Sequence, residues 1–129
     1  MAITMDMLNV IVAEDEVIIR KDLVISLQRL GCSILLETSF AEEVLEFIEN
    51  RMADLIFLDI RLKGDADGLE AARAIGSKTD IPIVIMSAYD FGAQREEKEL
   101  GNVKEYLSKP IPGGKLKQLI ESFKLNHLR

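Results

Sequence analysis

The 129-residue chain has very few of the soft metal ligands and general bases: one cysteine, one histidine and no tryptophan. A lone Cys32 allows neither an internal disulfide nor a thiolate metal cluster. The single histidine, His127, sits in the C-terminal tail, which leaves none to serve as a base. Apolar runs are only a few residues long, too short to span a bilayer. The opening MAITMDM has neither a basic leader nor an apolar stretch, which argues against a secretory signal and makes a cytoplasmic location the expectation. Positive charge is also scarce, with 16 Lys and Arg against 22 Asp and Glu and a net charge of −6. Nucleic-acid binding needs a basic face to neutralise phosphates, so this composition speaks against it. The lysines that thicken after residue 97 (Lys98, Lys104, Lys109, Lys115, Lys117, Lys124) read mostly as solvated surface.

What is present is a soluble globular balance, 48% hydrophobic and 29% charged. Its length suits a single domain with one core, read here as residues 8–125 after a short N-terminal extension over 1–7. Short β-like runs alternate with helical patterns. LNVIVA from Leu8 reads as a strand, and Val17, Leu23, Val24, Leu27 and Leu30 follow at near-helical spacing until Gly31 stops the helix. Cys32–Thr38 is a second strand; Ala41, Val44, Leu45 and Ile48 mark a second helix with Ser39 as its N-cap. Leu55–Leu58 is a third strand apolar on both faces, with Leu69, Ala72 and Ile75 inward on the next helix. Ile83–Met86 is the fourth strand, and Tyr106 and Leu107 mark a fifth. Between these two lies DFGAQREEKELG, where Gln94–Glu99 passes without an apolar side chain; a helix here must be short, highly exposed or mobile. Leu116, Leu119, Ile120 and Phe123 define the last helix. Five strands alternating with five helices predict an α/β fold, a doubly wound parallel sheet with helices on both faces.

In such sheets, ligands bind outside the carboxyl ends of the strands. Glu14 and Asp15 end strand one, Asp59 ends strand three, Ser87 follows strand four and Lys109 follows strand five. Taken singly, each reads equally well as a cap or a solvated loop residue; four strands ending this way point to a site. Two carboxylates 4 Å apart repel by roughly 4 kcal/mol at an effective dielectric near 20, so the cluster calls for a hard cation. Oxygen-only donors suit Mg²⁺ or Mn²⁺ over zinc. Lys109 and Ser87 offer an ammonium and a hydroxyl to phosphoryl oxygens, and ionised Asp59 is then a nucleophile toward phosphorus that needs no base.

These elements resemble the response-regulator receiver domain of two-component signalling over about Leu8 to Phe123. The likeness lies in Glu14-Asp15, Leu58-Asp59-Ile60, Asp67-Gly68, Met86-Ser87-Ala88 and Tyr106-Leu107-Ser108-Lys109-Pro110. It implies the flavodoxin-like strand order 2-1-3-4-5 and a signalling role rather than an enzyme's. Asp59 would accept a phosphoryl group from a sensor histidine kinase or phosphotransfer protein. Asp15 and Asp59 would ligate Mg²⁺, with Glu14 acting through water and Arg61 through its carbonyl. Lys109 would pair with the phosphoryl group, Ser87 would move toward it, and Tyr106 would turn inward. The Lys109–Pro110 bond would be cis. The signal would leave through the helix before strand five, strand five and the last helix, toward a protein target, an output domain or a second copy in a homodimer.

Two features depart from the usual pattern. Asp59-Ile-Arg-Leu-Lys63-Gly64 lacks the proline common after the acceptor, and the polar segment over Gln94–Glu99 is weakly apolar for a packed helix. Arg61 and Tyr89, each two residues beyond a site residue, are placed to shield a phosphoryl group and tune its lifetime. A haloacid-dehalogenase-like phosphohydrolase is the alternative. It wants a second aspartate where Arg61 stands, and a cap domain for which the length leaves no room. A flavodoxin-like nucleotide binder needs a glycine-rich loop where AEDEVIIR lies, Ala13 to Arg20. Sequence leaves open whether the receiver stands alone or belongs to a larger regulator or hybrid kinase.

Overall fold

The computed structural model describes residues 7–62, 68–88 and 102–127. Five strands, β1 (Leu8–Ala13), β2 (Cys32–Thr38), β3 (Leu55–Asp59), β4 (Ile83–Ser87) and β5 (Val103–Ser108), pair in parallel in the order β2-β1-β3-β4-β5. The described helices are α1 (Val17–Arg29), α2 (Ala41–Asn50), α3 (Gly68–Gly76) and α4 (Gly113–His127). The helix expected between the fourth and fifth strands, in the segment over 90–101, falls outside the described residues. No helix among the described residues is long and apolar enough to cross a membrane.

The continuous apolar runs follow from burial on both faces. Successive side chains in a strand point to opposite sides of the sheet, and β3 and β4 bury every residue. On one face Val10, Val12, Leu55, Phe57, Val84 and Met86 meet Leu23, Val24 and Leu27 of α1 and Leu116 and Ile120 of α4. On the other, Ile11, Ala13, Ile56, Leu58, Ile83 and Ile85 meet Ala41, Val44 and Ile48 of α2 and Ala71, Ala72 and Ile75 of α3. The helical spacings read from the sequence are therefore the inward stripes of helices covering a two-sided sheet.

Local chemistry sets where α1 and α2 begin and end. Gly31, at φ 86°, takes the left-handed conformation that ends α1, and Lys124 Nζ on α4 donates to the carbonyl of Leu30 at 2.7 Å. Val17 does not join the inward stripe; it is 54% exposed, and the buried residues of α1 are Leu23, Val24 and Leu27. Ser39 is not the N-cap of α2. Phe40 holds that position without a side-chain cap, and the Ser39 hydroxyl is taken by Arg20 Nη1 at 2.7 Å. Glu42 and Glu43 in the first turn complement the helix dipole instead.

Candidate phosphoacceptor site

The strand register aligns the carboxyl edge. Ala13 lies opposite Leu58, Asp59 opposite Met86, and Ser87 opposite Ser108. The ladder then continues past the strand ends: Glu14 N–H donates to the Thr38 carbonyl at 2.9 Å, Ile60 N–H to Met86 at 2.8 Å, and Lys109 N–H to Ser87 at 2.6 Å. Residues far apart in the chain thus reach one crevice of about 300 Å³, lined by Asp15, Asp59, Arg61, Ala88 and Lys109 among others.

Glu14, Asp15 and Asp59 each bring a carboxylate oxygen to within 4.8 Å of the others. Glu14 is fully buried and Asp59 is 2% exposed. Lys109 Nζ lies between these two, 2.9 Å from Glu14 Oε1 and 3.2 Å from Asp59 Oδ2. Glu14 Oε2 accepts the Glu16 N–H at 3.1 Å, so both its oxygens are engaged. Asp59 Oδ1 accepts the Arg61 N–H at 3.1 Å. Among the described residues, the Asp15 side chain makes no hydrogen bond or ion pair, which leaves it available at the crevice wall.

One ammonium does not neutralise three carboxylates. Burial, and after it the adjacent Glu14 carboxylate, push the Asp59 carboxyl up to about 7. Burial would raise Glu14 as well, but hydrogen bonds from the Asp59 carboxyl, Lys109 and the Glu16 N–H hold it below the ordinary carboxylate range. Burial works against the Lys109 charge, yet Glu14 and Asp59 together raise its pKa. The pocket is short of positive charge and presents oxygen donors only, the chemistry that suits a hard divalent cation.

The remaining expected residues fall as follows. Ser87 is buried at the end of β4, on the same edge. Arg61 is exposed at the mouth of the crevice. Tyr106 lies on β5 opposite Ile85, half-buried against the core on the α2–α3 side, and is not part of the crevice wall. Tyr89 lies outside the described residues. The Lys109–Pro110 peptide is cis.

Two contributors were not singled out by the sequence patterns. A Cβ on Gly68 would stand 2.3 Å from the Asp59 carbonyl oxygen and 2.4 Å from Ile60 Cα, so α3 starts directly against the end of β3. Gly68 stood out only as half of an Asp-Gly pair; the close approach behind it is tertiary. Arg20, on α1, donates to the Glu14 carbonyl at 2.9 Å. An arginine in the first turns of an amphipathic helix reads as surface, and no local pattern marks it otherwise.

The response regulator receiver domain family model matches residues 10–121. The transcriptional regulatory protein PdtaR of Mycobacterium tuberculosis is 34% identical over 103 residues, covering 80% of this chain and 50% of its own. The chain spans about half the length of the curated relatives PdtaR, KdpE and LytT. Among solved structures, the signal receiver domain of a modulated diguanylate cyclase from Desulfovibrio desulfuricans G20 superposes with a TM-score of 0.82 at 26% identity, covering 94% of this chain and 96% of that one. The receiver domain of sensor histidine kinase PA1611 from Pseudomonas aeruginosa PAO1, with magnesium coordinated in its active-site cleft, gives 0.80 at 22% identity over 92% and 98%. With a parallel 2-1-3-4-5 sheet and this acidic edge, the chain belongs to the response regulator receiver domain family.

Proposed function

We propose that the protein receives a phosphoryl group on Asp59 from a phosphohistidine of a sensor kinase or phosphotransfer protein and passes the change to a partner. The observation that carries this reading is the Asp59 carboxylate, 2% exposed at the end of β3, held 3.2 Å from Lys109 Nζ within a three-carboxylate cluster. An Asp59 carboxylate oxygen donates an electron pair to phosphorus. The phosphorus–nitrogen bond of the donor breaks, its electron pair returns to the imidazole, and an acyl phosphate remains on Asp59. Lys109, already between the two acids, follows the negative charge onto a phosphoryl oxygen. Ser87 supplies a hydroxyl hydrogen bond to another.

The donor set fits Mg²⁺ or Mn²⁺, with Asp15 and Asp59 as carboxylate ligands, a further oxygen from the Arg61 backbone, and Glu14 acting through water. When bound, the ion offsets charge on the transferred group. Because both Glu14 oxygens are engaged by Lys109 and the Glu16 N–H, Glu14 serves chiefly to hold Lys109 and the loop. Tyr106 turning inward behind Ser87 would carry the change to the face of β5 and α4. Arg61 at the crevice mouth, with Tyr89, would shield the acyl phosphate from water.

Phosphohydrolase action is not favoured: the position that reading reserves for an acid-base aspartate is Arg61. The test is incubation with phosphoramidate and Mg²⁺, followed by intact-mass measurement of the wild type and Asp59→Asn. A single phosphoryl gain is expected in the wild type alone; the same gain in Asp59→Asn would move the acceptor elsewhere. In the same assay Arg61→Ala should change the rate at which phosphate is lost, and an unchanged decay would remove Arg61 from the shielding role.

A further inference from the structure

We infer that Arg20 is a positioning residue for the acidic pair, setting the orientation of the Glu14–Asp15 peptide; this rests on the phosphoacceptor reading of the site. The Arg20 side chain is only 14% exposed, and its donors reach three elements. Nη1 donates to the Glu14 carbonyl at 2.9 Å and to Ser39 Oγ at 2.7 Å, and Nε donates to Glu37 Oε1 at 3.4 Å. Glu14 N–H is tied to the Thr38 carbonyl, so both backbone groups of Glu14 are held, one by β2 and the other by α1.

A peptide unit is planar. Fixing the Glu14 carbonyl therefore fixes the plane that carries the Asp15 nitrogen and Cα. Asp15 makes no side-chain bond of its own among the described residues, so its direction toward the crevice depends on that plane. The Glu14 carbonyl lies past the end of β1 in a fully buried residue, where an oxygen without a donor is costly. The guanidinium meets this need and anchors itself on β2 through Glu37 and on the β2–α2 connection through Ser39. A lysine cannot reproduce that set of bonds.

The test compares metal-free wild type, Arg20→Met, Arg20→Lys and Lys124→Met. Each is titrated with Mg²⁺ by calorimetry, melted, and treated with phosphoramidate at saturating Mg²⁺. Lys124 caps the far end of the same helix and so controls for loss of stability alone. Arg20→Met should raise the half-saturating Mg²⁺ concentration about tenfold, the scale seen when groups orienting metal ligands are removed. Arg20→Lys should recover part of that loss. Lys124→Met should lower the melting temperature and leave Mg²⁺ binding unchanged.

Wild-type Mg²⁺ affinity in Arg20→Met overturns the inference, as does an equal loss of affinity in Lys124→Met. Should Arg20→Met not fold, full wild-type affinity in Arg20→Lys together with Ser39→Ala overturns it instead. A wild type that binds no Mg²⁺ and takes no phosphoryl group overturns the phosphoacceptor reading, and this inference with it.

Discussion

Lys109 Nζ lies 2.9 Å from Glu14 Oε1, although 95 residues separate the two in the chain. The contact explains how the protein buries acids beside strands made of Leu, Ile, Val and Phe. A buried carboxylate is tolerated when a cation is hydrogen-bonded to it, and Lys109 serves Glu14 and Asp59 at once.

Removing that cation should therefore hurt. Lys109→Met leaves Glu14 and Asp59 buried without a counter-charge and is expected to cost about 3–5 kcal/mol in metal-free buffer. Asp59→Asn acts in the opposite direction, relieving repulsion and raising stability by roughly 1 kcal/mol while weakening Mg²⁺ binding. Urea denaturation with and without Mg²⁺ checks both. Equal midpoints for all three proteins would remove the repulsion argument.

Gly68→Ala should be disproportionately damaging for so small a change. Its methyl would meet the Asp59 carbonyl oxygen at 2.3 Å and Ile60 Cα at 2.4 Å, backbone atoms that cannot swing aside. The expected cost is about 1–3 kcal/mol, with slower phosphoryl transfer because the acceptor strand must shift. Chemical denaturation and the phosphoramidate assay measure the two effects separately.

Glu37 supplies a pH dependence away from the pocket. Hydrogen bonds from Lys21, then from Arg20, outweigh a partial burial and hold its carboxyl below the ordinary carboxylate range. Its contribution is thus complete above the unfolded pKa and is lost as pH falls through the lower folded value. Glu37→Gln should melt below the wild type at pH 7, with the gap closing on acidification below about pH 4. A gap that widens in acid would contradict the sign.

Cys32 is a built-in reporter of unfolding. It is 1% exposed in the core beside α1, and burial pushes its thiol up in pKa. A thiol reagent should react at least about 10³-fold more slowly with the native protein than with urea-unfolded chains, following the unfolded fraction. Rapid labelling in native buffer would mean that the β2 edge opens locally.

Much of the architecture is local information. The boundaries of β1 and β2 are legible because apolar runs end at charged or turn-forming residues, and the inward stripes of α2 and α4 because their spacing matches the helical period. Asp59, Glu14, Asp15, Ser87 and Lys109 stand out as polar residues where the β-like runs end. Ser39 misled because its hydroxyl, free to cap in a local reading, is claimed by an arginine from α1. Val17 misled because near-helical spacing does not by itself report burial, and Val17 is 54% exposed.

The residues themselves thus determined an alternating α/β chain with an acidic, hydroxyl- and amine-bearing strand edge. Periodicity and strand-end chemistry are carried by near neighbours in the chain. Only the tertiary structure decided that Lys109 bonds Glu14 and Asp59 at once, how closely Gly68 approaches Asp59, and that Arg20 grips the Glu14 carbonyl. Those are through-space distances between segments brought together by sheet register, and no local pattern encodes them.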